Sequence, residues 1–173
     1  MLYKPEKKQK IFNMNFRVGQ GYDVHRLEDG LDLYLGGIKI PHTKGCVAHS
    51  DGDVFIHALC DALLGAAAMR DIGYHFPDTD PQYKNIDSKI LLSKTINLLS
   101  KHHYQIINID STICLQQPKI KDFIPEMIKT LARVMQISED KISVKATTTE
   151  KLGFIGREEG ISAYATVLIE KQA

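Results

Sequence analysis

The chain has only three cysteines, Cys46, Cys60 and Cys114, and their spacing forms no pair or repeat. This excludes a disulfide framework and a thiolate zinc cluster. Cys60 and Cys114 stand in apolar surroundings and read as core fillers in a reducing compartment. No apolar run approaches the roughly 20 residues that a membrane-spanning helix needs. Charge of one sign is also lacking: 22 Lys and Arg face 21 Asp and Glu, for a net charge of +1. Neither a nucleic-acid nor a membrane surface is implied by that balance. There are no internal repeats and no low-complexity segments. Met1 to Gln9 is polar and lysine-rich but lacks the apolar centre of a secretory signal. The expectation is a flexible tail over residues 1–15, with Met14 as an alternative start. Residues 16–173 then form one domain, long enough to bury a sizeable core. A cytoplasmic setting is the default.

What the chain does contain is organised around Ala48-His49-Ser50-Asp51-Gly52-Asp53. This stretch begins as a loop and passes at Val54 into a helix-favouring run that reaches Ala68. Ser50 and Asp51 are the candidate caps. Free backbone N–H groups at such a start suit an anion, and phosphate above all. His57 falls one turn into the helix, with Asp53 and Asp61 four residues to either side on one face. That pattern fits a surface ion pair as well as a metal site. Upstream, Asp23-Val24-His25 ends a strand pattern that starts at Phe16, and period two puts Asp23 and His25 on the same face.

Leu31 to Ile40 reads as a second strand interrupted at Gly36-Gly37, and residues 42–45 as a loop. Residues 70–81 hold two prolines and several aspartates, more than a mere connection needs. Asp87-Ser88 caps a helix from Lys89 to His102. Tyr104 to Leu115 is a third strand. A helix follows over Ile120 to Met135, which starts near Asp122 or kinks at Pro125. Ile142 to Thr147 and Gly160 to Glu170 are the last two strands. The order β-β-α-α-β-α-β-β predicts an α/β (α+β layer) fold, a mixed sheet with helices packed on one face. The other face is left for burial against further subunits.

Four constellations could carry chemistry. Asp23, His25 and His57 form a thiolate-free ligand set of the kind a catalytic zinc uses, with a position left open. His49 and Ser50 offer donors to a phosphate, although Ser50 also serves as a plain cap. Thr147, Thr148 and Thr149 follow a strand and precede Glu150, which suits a hard cation shared with phosphate oxygens. The same run also reads as a β-rich segment ending in a turn. Gln117-Pro118-Lys119 is a turn carrying a cation.

Together these pieces resemble the 2-C-methyl-D-erythritol 2,4-cyclodiphosphate synthase family. The residues that carry the likeness are Gly21 to His25, Ala48 to Asp53 with His57, Asp71-Ile72-Gly73, Phe76 to Asp80, Pro118-Lys119 and Lys145 to Phe154, followed by Gly156-Arg157. The resemblance runs from Phe16 to the C-terminus. It implies a homotrimer with active sites at subunit interfaces and a cytidine diphosphate substrate, with no nucleic acid or membrane partner. It implies one zinc ion per subunit on Asp23, His25 and His57, and Mg²⁺ or Mn²⁺ near Glu150 and the diphosphate. His49 and Thr148 are the implied catalytic donors. The substrate positions it implies begin with Asp23, Val24, His25, His49 and Ser50. For the methylerythritol part they are Asp71, Ile72, Gly73, Phe76, Pro77, Asp78, Thr79 and Asp80. For the cytidine diphosphate they are Leu115, Gln116, Gln117, Pro118, Lys119, Ile120 and Lys121, with Thr147, Thr148, Thr149 and Glu150. Phe154 and Arg157 are assigned to the substrate or a central cavity. Apart from the resemblance, Asp53 and Asp61 are expected to orient His57 or another ligand from behind. A zinc hydrolase and a non-catalytic trimeric module stay open as alternatives.

Overall fold

Glycine sets how closely the first strand approaches the first helix. In the computed structural model of the chain, which describes residues 15–172, β1 (Phe16–Asp29) runs beneath α1 (Val54–Ala66). A Cβ on Gly21 would stand 1.9 Å from the carbonyl oxygen of Ala58, and one on Gly19 would stand 2.0 Å from that of Ala62. The two backbones therefore touch, and no other residue type fits at those positions. Residues 1–14 of the expected tail, with the alternative start at Met14, lie outside the described residues, and the carbonyl of Asn15, the last of that tail, accepts from the Lys171 N–H at 3.0 Å.

β1 pairs antiparallel with β7 (Gly160–Lys171), placing Asp23 opposite Ala163 and His25 opposite Ile161. On the far side of β7 lies β5 (Tyr104–Cys114), also antiparallel, and β6 (Ile142–Thr147) runs parallel to β5. A short β4 (Lys44–Cys46) borders β1, so the sheet order is β4-β1-β7-β5-β6. Alternation in β7 turns Ile161, Ala163, Ala165, Val167 and Ile169 inward, and all are buried. A register shift between Ile106 and Asn108 lets Ile106 and Ile109 both face the core, which strict period two would forbid.

α3 (Ser88–Lys101) and α4 (Ile124–Met135) complete the helical layer beside α1. The opposite face of the sheet keeps Val18, Tyr22, Val24 and Tyr164 exposed, Val18 at 67%. The mixed α/β layer with helices on one face is thus present. Among the described residues no helix is long and apolar enough to cross a membrane.

Local departures from the expected elements have identifiable causes. Leu31 to Ile40 is not a strand of the main sheet. It folds into a separate hairpin of β2 (Leu33–Leu35) and β3 (Ile38–Ile40), turning at Gly36 and Gly37 with φ of +60° and +80°. Residues 42–45, expected as a loop, contain the start of β4. α1 ends at Ala66, two residues before Ala68. α4 begins at Ile124 after a 3₁₀ turn over residues 121–123, with Pro125 in its first turn. There its missing N–H costs nothing, and it produces no kink. Two one-turn helices were not anticipated, α2 (Ile72–His75) and α5 (Gly153–Gly156).

Candidate metal centre and adjoining pocket

Asp23 and His25 leave the inner face of β1, and His57 descends from α1 to meet them. One ligand atom from each lies within 4.8 Å of the others, the only such group among the described residues. Asp23 Oδ2 is 3.1 Å from Nδ1 of His25 and 3.1 Å from Nδ1 of His57. Burial pushes the Asp23 carboxyl up, but the two imidazoles outweigh it and hold the group well below the usual carboxylate range. Burial would lower the His57 imidazole, and the Asp23 carboxylate more than offsets this, leaving it above its ordinary value.

The donor set fits a divalent cation. His25 Nδ1 is buried and, although close to Asp23, has no aligned hydrogen-bond partner. A buried ring nitrogen 3.1 Å from a carboxylate oxygen without a hydrogen bond between them suits two ligands of one ion. Tetrahedral ligands about 2.1 Å from zinc stand about 3.4 Å apart, close to the observed separations. The thiols are excluded from this role. No cysteine joins the group, and burial pushes Cys46 and Cys60 up to about 12, so without a metal neither is a thiolate at neutral pH.

The other ring nitrogen of His57, Nε2, is 2.9 Å from Ser88 Oγ and 3.2 Å from Ser50 Oγ. Asp53 and Asp61 do not play the part expected of them. Asp53 is the N-cap of α1 and is fully buried. Its carboxylate accepts from the N–H groups of Gly36, Gly37 and Ile56 at 3.0, 2.7 and 3.0 Å. It thus ties the β2–β3 turn to the helix start. Asp61 accepts from the Ile72 N–H at 2.7 Å and anchors α2. Ser50 and Asp51 are not the cap of α1; Asp51 instead accepts from the Ser88 N–H at 2.9 Å.

His25 and His57 open into a cavity of about 310 Å³. Of the residues the resemblance named, His49, Ser50, Ile72, Gly73, Phe76 and Asp78 line it. Tyr83, Ile86 and Leu91 also line it. The sequence offered no motif for these three, and only their place beside the aspartate-rich loop hinted at them. Tyr83 packs edge-on against Phe76 at 5.6 Å between centroids, with Lys94 Nζ 5.0 Å above its ring. Asp71 and Asp80 act as caps of the turns that follow them, accepting from Tyr74 N and Gln82 N. Pro77 and Thr79 do not line this cavity, and Val24 faces the exposed side of the sheet.

A second cavity, also about 310 Å³, is lined by Leu115, Pro118, Lys119, Ile120, Lys121, Thr147, Thr148 and Glu150. Thr148 Oγ1 donates to Glu150 Oε1 at 2.9 Å. Gln116 Oε1 accepts from the Lys151 N–H at 3.3 Å, while Gln117 and Thr149 stand outside the lining. Phe154 and Arg157 border neither cavity. Arg157 forms a two-pronged pair with Glu159 at 2.9 Å, and Phe154 lies against Gly160.

Fold and site together define a class: an α/β layer in which one strand and one helix bring two imidazoles and a carboxylate together beside a cleft that both imidazoles line. The chain belongs to the YgbB family, whose model matches residues 16–170. It is 65% identical over 158 residues to the Bacteroides thetaiotaomicron 2-C-methyl-D-erythritol 2,4-cyclodiphosphate synthase, covering 91% of this chain and 99% of that protein. Among solved structures, the bifunctional IspDF from Campylobacter jejuni superposes with a TM-score of 0.89 at 43% identity, over 92% of this chain and 43% of that longer one. The Plasmodium falciparum IspF in complex with CDP superposes with a TM-score of 0.80 at 37% identity, over 92% of this chain and 98% of that one.

Proposed function

We propose that the chain catalyses the ring closure for which its relatives are named. In this reaction 4-diphosphocytidyl-2-C-methyl-D-erythritol 2-phosphate becomes 2-C-methyl-D-erythritol 2,4-cyclodiphosphate, and CMP leaves. The activity is that of a phosphorus–oxygen lyase in the non-mevalonate isoprenoid pathway. The observation that carries the reading is the meeting of Asp23, His25 and His57, with both imidazoles lining the cavity that also holds His49 and Ser50.

An oxygen of the 2-phosphate forms a bond to the β-phosphorus, and the bond from that phosphorus to the bridging oxygen of CMP breaks. The nucleophile belongs to the substrate, which accounts for a site without a Ser-His-Asp or Cys-His pair. What the chain must supply is proximity and charge neutralisation between two phosphates. Zinc on Asp23, His25 and His57, and Mg²⁺ or Mn²⁺ at Glu150, would act when bound as Lewis acids on the phosphoryl oxygens. His49 and Thr148 donate to the phosphates. Ser50, Asp71, Ile72, Gly73 and the Phe76–Asp80 loop enclose the methylerythritol. Residues 115–121 and 147–150 hold the cytidine diphosphate in this proposal; the CDP complex of the Plasmodium relative supports the ligand class, and the cavity between these two segments supports their pairing.

The homotrimer belongs to the same proposal. Register pairs Asp23 with Ala163, Ala163 with Ile113, and Ile113 with Ala146. The metal cluster and the Thr147–Glu150 cavity therefore sit at one end of the sheet, three strand spacings or roughly 14 Å apart. They lie toward opposite edges, so the second half of each site would come from a neighbouring subunit. The exposed apolar face of Val18, Tyr22, Val24 and Tyr164 supports such packing. A cytoplasmic setting is proposed with it, in keeping with three free cysteines.

The test is phosphorus NMR of the zinc-loaded protein with this substrate and Mg²⁺, run beside His57→Ala. CMP and a cyclic diphosphate are expected, and both are lost in the variant. Inorganic phosphate or a linear diphosphate would replace this reading with a hydrolase, and bound nucleotide without turnover would replace it with a binding module.

A further inference from the structure

Ser88 opens α3, yet it is not the cap of that helix. Asp87 is the cap, accepting from the Lys89 N–H at 2.8 Å. The Ser88 side chain is instead fully buried and turned toward the His57 ring. Both of its donors are committed to one carboxylate. Its N–H donates to Asp51 Oδ2 at 2.9 Å, and its hydroxyl donates to Asp51 Oδ1. Asp51 is itself held in place, because its N–H donates to the Ile86 carbonyl at 3.1 Å and its Oδ1 accepts from the Asp53 N–H at 3.3 Å.

The Ser88 hydroxyl donates to Asp51 Oδ1, so its proton points at Asp51 and the hydroxyl oxygen has only lone pairs left. His57 Nε2 lies 2.9 Å from that oxygen, and the contact is a hydrogen bond only if Nε2 carries the proton. In a neutral imidazole, Nδ1 is then the unprotonated nitrogen. It faces Asp23 Oδ2 at 3.1 Å, lone pair against lone pair, which is favourable with a cation between them. Ser50 does not oppose this arrangement. Its Oγ, 3.2 Å from Nε2, accepts from the Gly52 N–H at 3.2 Å, and its own proton is free to turn into the cavity it lines.

We propose that Ser88, oriented by Asp51, is a positioning residue that holds the Nε2 proton of His57 and so presents Nδ1 to the metal. The proposal rests on the metal reading of the Asp23, His25 and His57 cluster. Asp51 and Ser88 stand 37 positions apart, and their pairing makes one unit of the loop before α1 and the first turn of α3.

The test measures zinc affinity by competition with a chromogenic chelator, together with long-range proton–nitrogen spectra of histidine-labelled, zinc-loaded protein. The variants are Ser88→Ala, Ser88→Thr, Asp51→Asn and His25→Ala. We expect zinc on Nδ1 of His57 and a slowly exchanging Nε2 proton in the unaltered protein. Ser88→Ala should lose that protected proton and weaken zinc binding by about 10- to 100-fold. Ser88→Thr, which keeps the hydroxyl, should restore most of the affinity, and Asp51→Asn should fall between the two. Unchanged affinity and an unchanged Nε2 signal in Ser88→Ala, with one zinc per chain still dependent on His25, would overturn the proposal and leave the metal centre standing. Failure of the unaltered protein to bind zinc in a His25-dependent way would overturn the metal reading itself, and the proposal with it. If Ser88→Ala does not fold, the spectrum of the unaltered protein decides: zinc on Nε2 refutes the proposal, and zinc on Nδ1 with a protected Nε2 proton supports it.

Discussion

Replacing Gly21 with alanine should damage the metal site from within the contact between β1 and α1. The added Cβ would stand 1.9 Å from the Ala58 carbonyl oxygen and 2.7 Å from the Ala62 N–H nitrogen, whereas real Cβ contacts lie beyond 3.0 Å. The obstacle is backbone on both sides, so no side chain can swing away. α1 must retreat from β1 by roughly an ångström, at a cost of about 1–3 kcal/mol for overpacking. At about 2–4 °C per kcal/mol for a chain of this size, the melting temperature should fall by roughly 2–12 °C. Gly21 precedes Asp23 by two residues on β1, and Ala58 follows His57 on α1, so the retreat separates two of the three ligands. Their 3.1 Å spacing would open beyond 4 Å. Two ligands about 2.1 Å from one ion reach such a span only when nearly collinear. Zinc affinity should therefore drop at least about tenfold. The assays are thermal unfolding of the metal-free protein and chelator competition for zinc. Gly65→Ala is the control, because a Cβ there meets open space and a helical Gly→Ala change gains up to about 1 kcal/mol. If Gly21→Ala matched the unaltered protein in both melting temperature and zinc affinity, the idea that glycine sets the ligand spacing would be wrong.

Three further outcomes are expected. In the metal-free protein the raised His57 group stabilises the fold fully below its ordinary value near pH 6.5 and loses that contribution as pH rises through its folded value. The depressed Asp23 carboxyl contributes above its ordinary value near pH 4 and is lost as pH falls through its folded value. Urea midpoints of the metal-free protein should thus decline above neutrality and in acid, while a zinc-loaded sample should show no alkaline decline up to about pH 9. Glu150→Gln should leave zinc affinity unchanged, raise the Mg²⁺ requirement and lower turnover about 10²-fold; unaltered Mg²⁺ dependence would remove Glu150 from the site. Val18→Asp places a charge on the exposed sheet face and should shift the mass measured by light scattering from trimer to monomer, and a persistent trimer would put the interface elsewhere.

Local pattern carried much of this protein into view. Period two along β1 put Asp23 and His25 on one face, and alternation along β7 marked Ile161 to Ile169 as an inward stripe. The change from polar loop to apolar run located the start of α1 and, with it, the turn that carries His57. Each of these depends only on the geometry of a single element, which a short stretch of sequence encodes. Contacts between distant segments were not legible in this way. The glycines at positions 36 and 37 looked like an interruption of a strand, but the carboxylate of Asp53 gathers their N–H groups and turns them into a hairpin. Asp53 and Asp61 share a helical face with His57, yet the buried Asp53 and the half-buried Asp61 each accept from backbone N–H groups of another segment, because a carboxylate withdrawn from water is satisfied by the nearest free N–H groups wherever the chain brings them. Ser88 looked like part of a cap and proved to be the neighbour of His57. Only the packing of α3 against α1 could bring a residue 31 positions away to its ring. Composition and spacing name the residues able to act as ligands and donors, and long-range packing selects which of them meet.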